Sequence, residues 1–139
     1  MLTLFFSPGA CSMASHIGIE ETGAPYLEKP TLLAKGEQKT AAYLKINPRG
    51  KVPALSVDGR IITENTAILT YLARQFPQAN LLPADLVGEA HCIGAMAWFS
   101  NIVHPSYQRY MRPERFAEGE AAQATVKDMG HKSFWANLQ

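Results

Sequence analysis

One dipeptide, Asp58-Gly59, constrains the fold of this chain more than any other local feature. It separates two short apolar runs, at residues 54–57 and 60–63, and Asp-Gly is a preferred pair for the two-residue turn of a β-hairpin. Residues 64–75 follow with apolar side chains at helical spacing. We therefore predict two antiparallel strands with a helix directly behind them.

The first thirty residues predict a strand, a helix and a second strand. Residues 2–6 are apolar, residues 12–21 have helical spacing with Met13 and Ile17 on one face, and residues 26–29 stand between two prolines. Two consecutive strands joined by a helix usually pair in parallel. We expect this pair to be parallel, with the helix packed against it.

A short helix is predicted around residues 40–45, ahead of turn residues 47–50. The complete order is then β-α-β-α-β-β-α within the first 75 or so residues. A parallel pair and an antiparallel hairpin in one sheet predict an α/β domain with a mixed four-stranded sheet and helices against it. This is the order of a thioredoxin-like domain.

Residues 77–84 contain two prolines and no regular pattern, and we interpret them as a linker. The linker separates the α/β domain at residues 1–76 from an all-helical part at residues 85–139. In that part, one helix is expected from residue 85 to about residue 103, interrupted by His104-Pro105.

The helical part is expected to be partial. A further helix is predicted to begin near Pro113. Residues 134–139 have the pattern of the middle of a helix, with neither a capping glycine nor a polar tail. A monomer rarely leaves an apolar, aromatic helix without neighbours. We therefore expect a truncated chain, or one that covers this surface by forming a homodimer.

Composition and charge exclude several classes of partner. Thirteen basic and twelve acidic residues give a net charge of +1, without the basic cluster typical of nucleic-acid binding. No apolar run approaches the roughly 20 residues that span a bilayer, and the first residues lack the basic start of a signal peptide. Cys11 and Cys92 match neither a CxxC pair nor a metal-ligand spacing. We expect a cytoplasmic protein without a nucleic-acid or membrane partner, with Cys92 in the core.

Cys11 lies where the first strand runs into the first helix, through the sequence Ser-Pro-Gly-Ala-Cys-Ser at 7–12. The free N–H groups and partial positive charge of a helix start favour a thiolate, so the pKa of this thiol is predicted to fall below its ordinary value. Cys11 is a candidate nucleophile or thiol-binding residue. The alternative is a half-buried cysteine that only fills space.

Three stretches together resemble the cytosolic glutathione S-transferases, most closely the bacterial beta-like branch that uses cysteine. They are Ser-Pro-Gly-Ala-Cys-Ser-Met-Ala-Ser-His-Ile at 7–17, Asn-Pro-Arg-Gly-Lys-Val-Pro-Ala-Leu at 47–55 and Thr-Glu-Asn-Thr-Ala-Ile at 63–68. Their order and spacing cover the whole α/β domain. The resemblance implies a protein that binds glutathione as co-substrate and needs no metal.

The resemblance also implies roles for single residues. Cys11 would lie beside the glutathione sulfur. The Val52-Pro53 peptide would be cis, which exposes the Val52 backbone to pair with the cysteinyl unit of glutathione. Glu64 would accept from the γ-glutamyl ammonium group, and Asn65 would hold the α-carboxylate. A carboxylate at a helix start also stabilises the helix, and that alone would explain Glu64.

Three further positions follow from the resemblance. Lys35 lies where the family often places a cation near the glycyl carboxylate, although a loop lysine is commonly plain surface. Asn101 and His104 match the part of the first long helix that approaches the thiol in the beta-like branch. A histidine before proline at a helix break can also be structural.

The implied activity is conjugation of the glutathione thiolate to a hydrophobic electrophile. Two alternatives remain open at this point. One is a non-catalytic glutathione-binding or interaction module, because the fold alone does not decide function. The other is a monothiol–disulfide oxidoreductase acting through Cys11, which would need glutathione as its second thiol because Ser12-Met13-Ala14 supplies no resolving cysteine.

Overall fold

A computed structural model describes all residues from Met1 to Gln139. Its four strands are β1 (Leu2–Phe6), β2 (Tyr26–Pro30), β3 (Ala54–Val57) and β4 (Arg60–Thr63). They form one sheet in the order β2-β1-β3-β4, in which β1 and β2 are parallel and the other pairs are antiparallel. The predicted mixed sheet and the hairpin at Asp58-Gly59 are confirmed.

The helices of the α/β part are α1 (Met13–Glu21), α2 (Ala41–Ile46) and α3 (Asn65–Gln75). After them come α4 (Leu86–Trp98), a π-helical turn (Phe99–Val103), α5 (His104–Met111) and α6 (Glu120–Ala136). The chain forms two compact units, Met1–Ala90 and His91–Gln139. The thioredoxin-like order followed by helices is confirmed. None of the helices combines the length and the apolar character that crossing a membrane requires.

The core of the first unit lies between the sheet and two helices. Side chains alternate across a strand, so β1 presents every second residue to α1 and α3. The buried cluster consists of Leu2, Leu4, Phe6, Ile19, Leu55, Ile68 and Leu72. On the opposite face, the ring of Phe5 packs edge-on against Tyr43 of α2 at 6.0 Å between centroids. Helices therefore pack on both faces of the sheet.

The face that α1 buries differs from the predicted one. Met13 and Ile17 are 57% and 54% exposed, whereas Gly18 and Ile19 are buried. A Cβ atom at Gly18 would lie 2.4 Å from Cδ2 of Leu69 in α3. The small residue therefore allows α1 and α3 to approach closely, and this determines which side of α1 turns inward.

The predicted helix break at His104-Pro105 is wrong. The chain continues through the π-helical turn into α5, where Pro105 occupies the first turn. The backbone N–H of His104 donates to the carbonyl oxygen of Phe99, so the helical path passes through Pro105 without ending there.

Two other expectations about the helical part are also corrected. Cys92 is only partly buried, and none of the residues of α4 is fully buried. The last residues do not continue a helix, since α6 ends at Ala136 and the Nδ2 of Asn137 caps it by donating to the carbonyl oxygen of Ser133 at 2.7 Å.

Candidate functional site

The turn between β1 and α1 is held by a buried serine pair. The backbone N–H of Ser7 donates to Oγ of Ser12 at 3.0 Å, and the Ser12 hydroxyl donates to the carbonyl oxygen of Ser7 at 3.2 Å. Gly9 has φ +71, a conformation that favours glycine. This closed turn presents Cys11 at the surface, immediately before the N-cap of α1.

The Cys11 thiol lies against the loop that precedes β3. Its Sγ donates to the carbonyl oxygen of Val52 at 3.9 Å. The Val52-Pro53 peptide bond is cis, as predicted, and both residues are buried. Two of the three matched stretches therefore meet at the thiol.

Burial raises the pKa of the Cys11 thiol above its ordinary value. The negative charge of Glu64 raises this pKa further, while the backbone N–H groups of Cys11 and Ser12 and the positive charge of Lys51 act against it without reversing the shift. The predicted lowering of the pKa is wrong. The sequence indicated the helix start, but it did not reveal the partial enclosure of the sulfur or the nearby carboxylate.

Asn65 joins the start of α3 to the same turn. Its Nδ2 donates to the carbonyl oxygen of Cys11 at 3.0 Å, and the Ser15 hydroxyl donates to its Oδ1 at 2.6 Å. One N–H of the Asn65 amide remains for another partner, because a primary amide has two. Asn65 thus positions the cysteine turn and still offers a donor beside it.

Glu64 has an unusual backbone conformation, with φ +71 and ψ 132. A non-glycine residue in such a region costs about 1–3 kcal/mol and is typical of functional sites. Its side chain makes no capping hydrogen bond to α3, and instead Oε1 accepts from Nη1 of Arg49 at 3.2 Å. The exposed carboxylate is therefore available to a ligand rather than used as a helix cap.

Lys35 ends a short 3-10 turn at Leu33–Lys35 and is exposed. The backbone N–H of Leu33, in the same turn, donates to Oγ of Ser7 at 3.4 Å. This turn is therefore anchored to the cysteine turn, although the Lys35 side chain makes no hydrogen bond or ion pair with the other predicted site residues.

The two candidates in the second unit have different environments. Asn101 is exposed in the π-helical turn. His104 is half-buried at the first residue of α5, and its Nε2 lies 2.8 Å from Nε2 of Gln108. Their assignment to the site stays a prediction.

Sequence reasoning missed five residues that shape the site. They are Ser7, Ser12, Ser15, Arg49 and Lys51. All five fall inside the matched stretches at 7–17 and 47–55. Their position inside those stretches was the available signal, but it did not say which partners they would find.

Comparison with known proteins shows which family this chain resembles. The family model described as "Glutathione S-transferase, N-terminal domain" matches residues 1–74. The chain is 35% identical over 116 residues to glutathione S-transferase GstA of Escherichia coli O157:H7, covering 81% of this chain and 58% of that protein. It is 37% identical over 93 residues to maleylacetoacetate isomerase of Pseudomonas aeruginosa, covering 65% and 44% of the two proteins.

Solved structures extend the likeness to nearly the whole chain. A glutathione transferase homologue from Sulfitobacter with bound glutathione has a TM-score of 0.90 and 36% identity, covering 99% of this chain and 67% of that one. A beta-class glutathione S-transferase from Sphingomonas chungbukensis has a TM-score of 0.80 and 34% identity, covering 98% and 66%. The chain spans about three fifths of the length of GstA. The family match over more than half of the chain means that this protein belongs to the glutathione S-transferases.

Proposed function

We propose that this protein binds glutathione beside Cys11 and conjugates the glutathione thiolate to a hydrophobic electrophile. One observation carries the proposal: the Cys11 turn, the Val52 carbonyl and the start of α3 at Asn65 are joined by direct hydrogen bonds. The Sulfitobacter homologue, at 36% identity, holds glutathione in its crystal structure.

In this proposal each part of glutathione has a partner. The Val52 backbone pairs with the cysteinyl unit, as an added strand pairs with a sheet edge. Glu64 accepts from the γ-glutamyl ammonium, in place of or beside Arg49, and the free N–H of Asn65 donates to the α-carboxylate. Lys35 attracts the glycyl carboxylate. These four interactions fix the tripeptide so that its sulfur comes close to Cys11.

The raised pKa of Cys11 favours a thiol that donates a hydrogen bond over a cysteine that attacks. Cys11 S–H would donate to the glutathione sulfur and stabilise its thiolate. The glutathione thiol releases its proton to solvent water, its sulfur forms a bond to the electrophilic carbon, and the leaving group departs with the electrons of the broken bond. His104 and Asn101 are proposed to assist near the thiol. A cytoplasmic homodimer is the proposed form of the protein.

A second candidate is a glutathione-dependent isomerase. It is favoured by the 37% identity to the protein named maleylacetoacetate isomerase. In such a reaction the thiolate adds to a double bond, the bond rotates, and the thiolate leaves again, so that glutathione is not consumed.

The test begins with a calorimetric titration of glutathione into the wild-type protein, Cys11→Ala and the matched control Cys92→Ala. The same three proteins are assayed with 1-chloro-2,4-dinitrobenzene, a maleyl-type cis alkene and a mixed disulfide of glutathione. We expect binding and conjugation, with conjugation reduced in Cys11→Ala and unchanged in Cys92→Ala.

The other outcomes select the alternatives. Isomerisation without consumption of glutathione would favour the isomerase, and loss of disulfide exchange alone in Cys11→Ala would favour the oxidoreductase. Binding without any turnover would favour a glutathione-binding module. Absence of glutathione binding would overturn all of these functional hypotheses.

A further inference from the structure

A second cluster of chemically active side chains lies away from the Cys11 site, where α1 packs beside β2. It contains His16 and Glu20, one helical turn apart on α1, and Glu28 from β2. The three possible ligand atoms all lie within 4.8 Å of one another. None of these residues belongs to the proposed glutathione site.

The donor set has the chemistry of a transition-metal site. One imidazole nitrogen and two carboxylate oxygens are ordinary ligands of Zn²⁺, and a water molecule commonly supplies the fourth position. Residues at i and i+4 face the same side of a helix, which brings His16 and Glu20 together. The His16 ring is also held in place, because it packs on Phe6 at 4.2 Å between centroids. Little reorganisation of the imidazole is therefore needed.

Electrostatics at this cluster also favour a cation. Neither Glu20 nor Glu28 pairs with a lysine or an arginine, and the one ion-pair partner of Glu20 is His16 at 3.9 Å. The two carboxylates are exposed, and because they lie close together their negative charges repel each other. A divalent ion between them would remove this repulsion.

Tyr26 lies among the three ligands and competes with the ion. Its hydroxyl is 2.9 Å from Nε2 of His16 and donates to Oε1 of Glu20. An ion needs the lone pair of that nitrogen, so the imidazole proton must be on Nδ1 and the phenol must turn away. The hydrogen-bonded chain through Tyr26 is thus the arrangement that the metal would replace.

We propose that His16, Glu20 and Glu28 form a binding site for one Zn²⁺ ion, which fastens α1 to β2. Because α1 follows directly from the Cys11 turn, an ion here stabilises the element that presents the candidate site. The sequence did not suggest a metal, since Glu28 comes from a separate strand. This site does not depend on the proposed glutathione chemistry.

The test is a titration of the full chain with ZnCl₂, followed by calorimetry and by thermal melting, and with CoCl₂, followed by visible absorption. We expect one ion per chain, a higher melting temperature, and cobalt bands without sulfur-to-cobalt charge transfer. His16→Gln and Glu28→Gln should each weaken binding about tenfold or more. Glu21→Gln, His91→Gln and Cys11→Ala should leave it unchanged.

A Tyr26→Phe variant tests the competition directly. Removing the hydroxyl removes the group that the ion must displace, so zinc affinity should rise several-fold. Lower affinity in this variant would overturn the three-ligand assignment. The whole proposal is overturned if zinc does not bind, if Mg²⁺ binds equally well, or if Cys11→Ala abolishes binding. The His16→Gln variant is also titrated with glutathione, so that a failure of zinc binding can be distinguished from a failure of the proposed glutathione binding.

Discussion

The two compact units of this protein bury their side chains very differently. In the first unit, seven apolar residues form a continuous buried cluster between the sheet, α1 and α3. In the second unit the fully buried residues are Val103, Ser106 and Gly130, and large apolar side chains such as Trp98 and Trp135 are exposed. The candidate site on the first unit is therefore supported by a packed core, whereas the second unit is held together mainly by the packing of α5 against α6.

The largest effect expected from this contrast comes from the core of the first unit. Leu72→Ala removes a side chain that is completely buried, and a cavity of this kind costs about 2–5 kcal/mol of unfolding free energy. Met129→Ala in α6 is the control, since Met129 is 63% exposed and its loss should cost less than about 0.5 kcal/mol. Urea denaturation measures both. Equal losses would mean that the two units are not stabilised differently.

A smaller effect is expected where α6 meets α5. A Cβ atom at Gly130 would lie 2.5 Å from the backbone nitrogen of Tyr110 and 2.8 Å from Cβ of Arg109. Gly130→Ala should therefore cost about 1–3 kcal/mol through overpacking. Gly94→Ala in α4 meets nothing within 4 Å and should stabilise by up to about 1 kcal/mol through helix propensity. Hydrogen exchange in α5 and α6 measures the loss of stability in Gly130→Ala. If both variants changed the stability in the same direction, the close contact of Gly130 with α5 would be contradicted.

The third prediction concerns Asn65, which links the start of α3 to the Cys11 turn. Asn65→Ala removes the bonds to the Cys11 carbonyl oxygen and to Ser15. The cysteine turn then loses a hydrogen bond that anchors it, and the proposed ligand glutathione loses a hydrogen-bond donor. We expect the affinity for glutathione to fall about tenfold, or about 1.4 kcal/mol. Calorimetric titration measures it, with the exposed Gln78→Ala as control. An unchanged affinity would remove Asn65 from the site.

The smallest effect concerns the pH at which Cys11 ionises. Because the fold favours the neutral thiol, alkylation at Cys11 by iodoacetamide should have its midpoint above the ordinary thiol pKa. Glu64→Gln removes a negative charge and should lower the midpoint, while Lys51→Ala removes a positive charge and should raise it. Peptide mass spectrometry separates Cys11 from Cys92. A midpoint below that of the unfolded chain would contradict the direction of the shift.

Much of the fold could be predicted because its signals are local. Asp58-Gly59 between two apolar runs specifies a hairpin within ten residues, and the run at 2–6 followed by helical spacing specifies β1 and α1. The inward face of α1 could not be predicted in this way. It depends on the approach of Gly18 to Leu69, a contact between residues far apart in the chain. Periodicity alone selected Met13 and Ile17, which are exposed.

The candidate site also contains features that the sequence predicted and features that it did not. The matched stretches pointed to Cys11, Val52-Pro53, Glu64 and Asn65. In the structure, hydrogen bonds join Cys11 to the Val52 carbonyl oxygen and to the Asn65 side chain. The pairing of Arg49 with Glu64 was not visible in the sequence, because each residue alone has the character of ordinary surface.

Local signals in the sequence were enough to predict the order of the elements, the hairpin and the thiol at a helix start, because turn chemistry and side-chain spacing act over a few residues. The direction of the Cys11 pKa shift and the proximity of His16 to Glu28 could be seen only in the folded chain. The Cys11 pKa is raised by burial and by the charge of Glu64, and the second arrangement brings together residues of α1 and β2. Coulomb interactions and desolvation follow distance in space rather than distance along the chain, and the fold alone sets that distance.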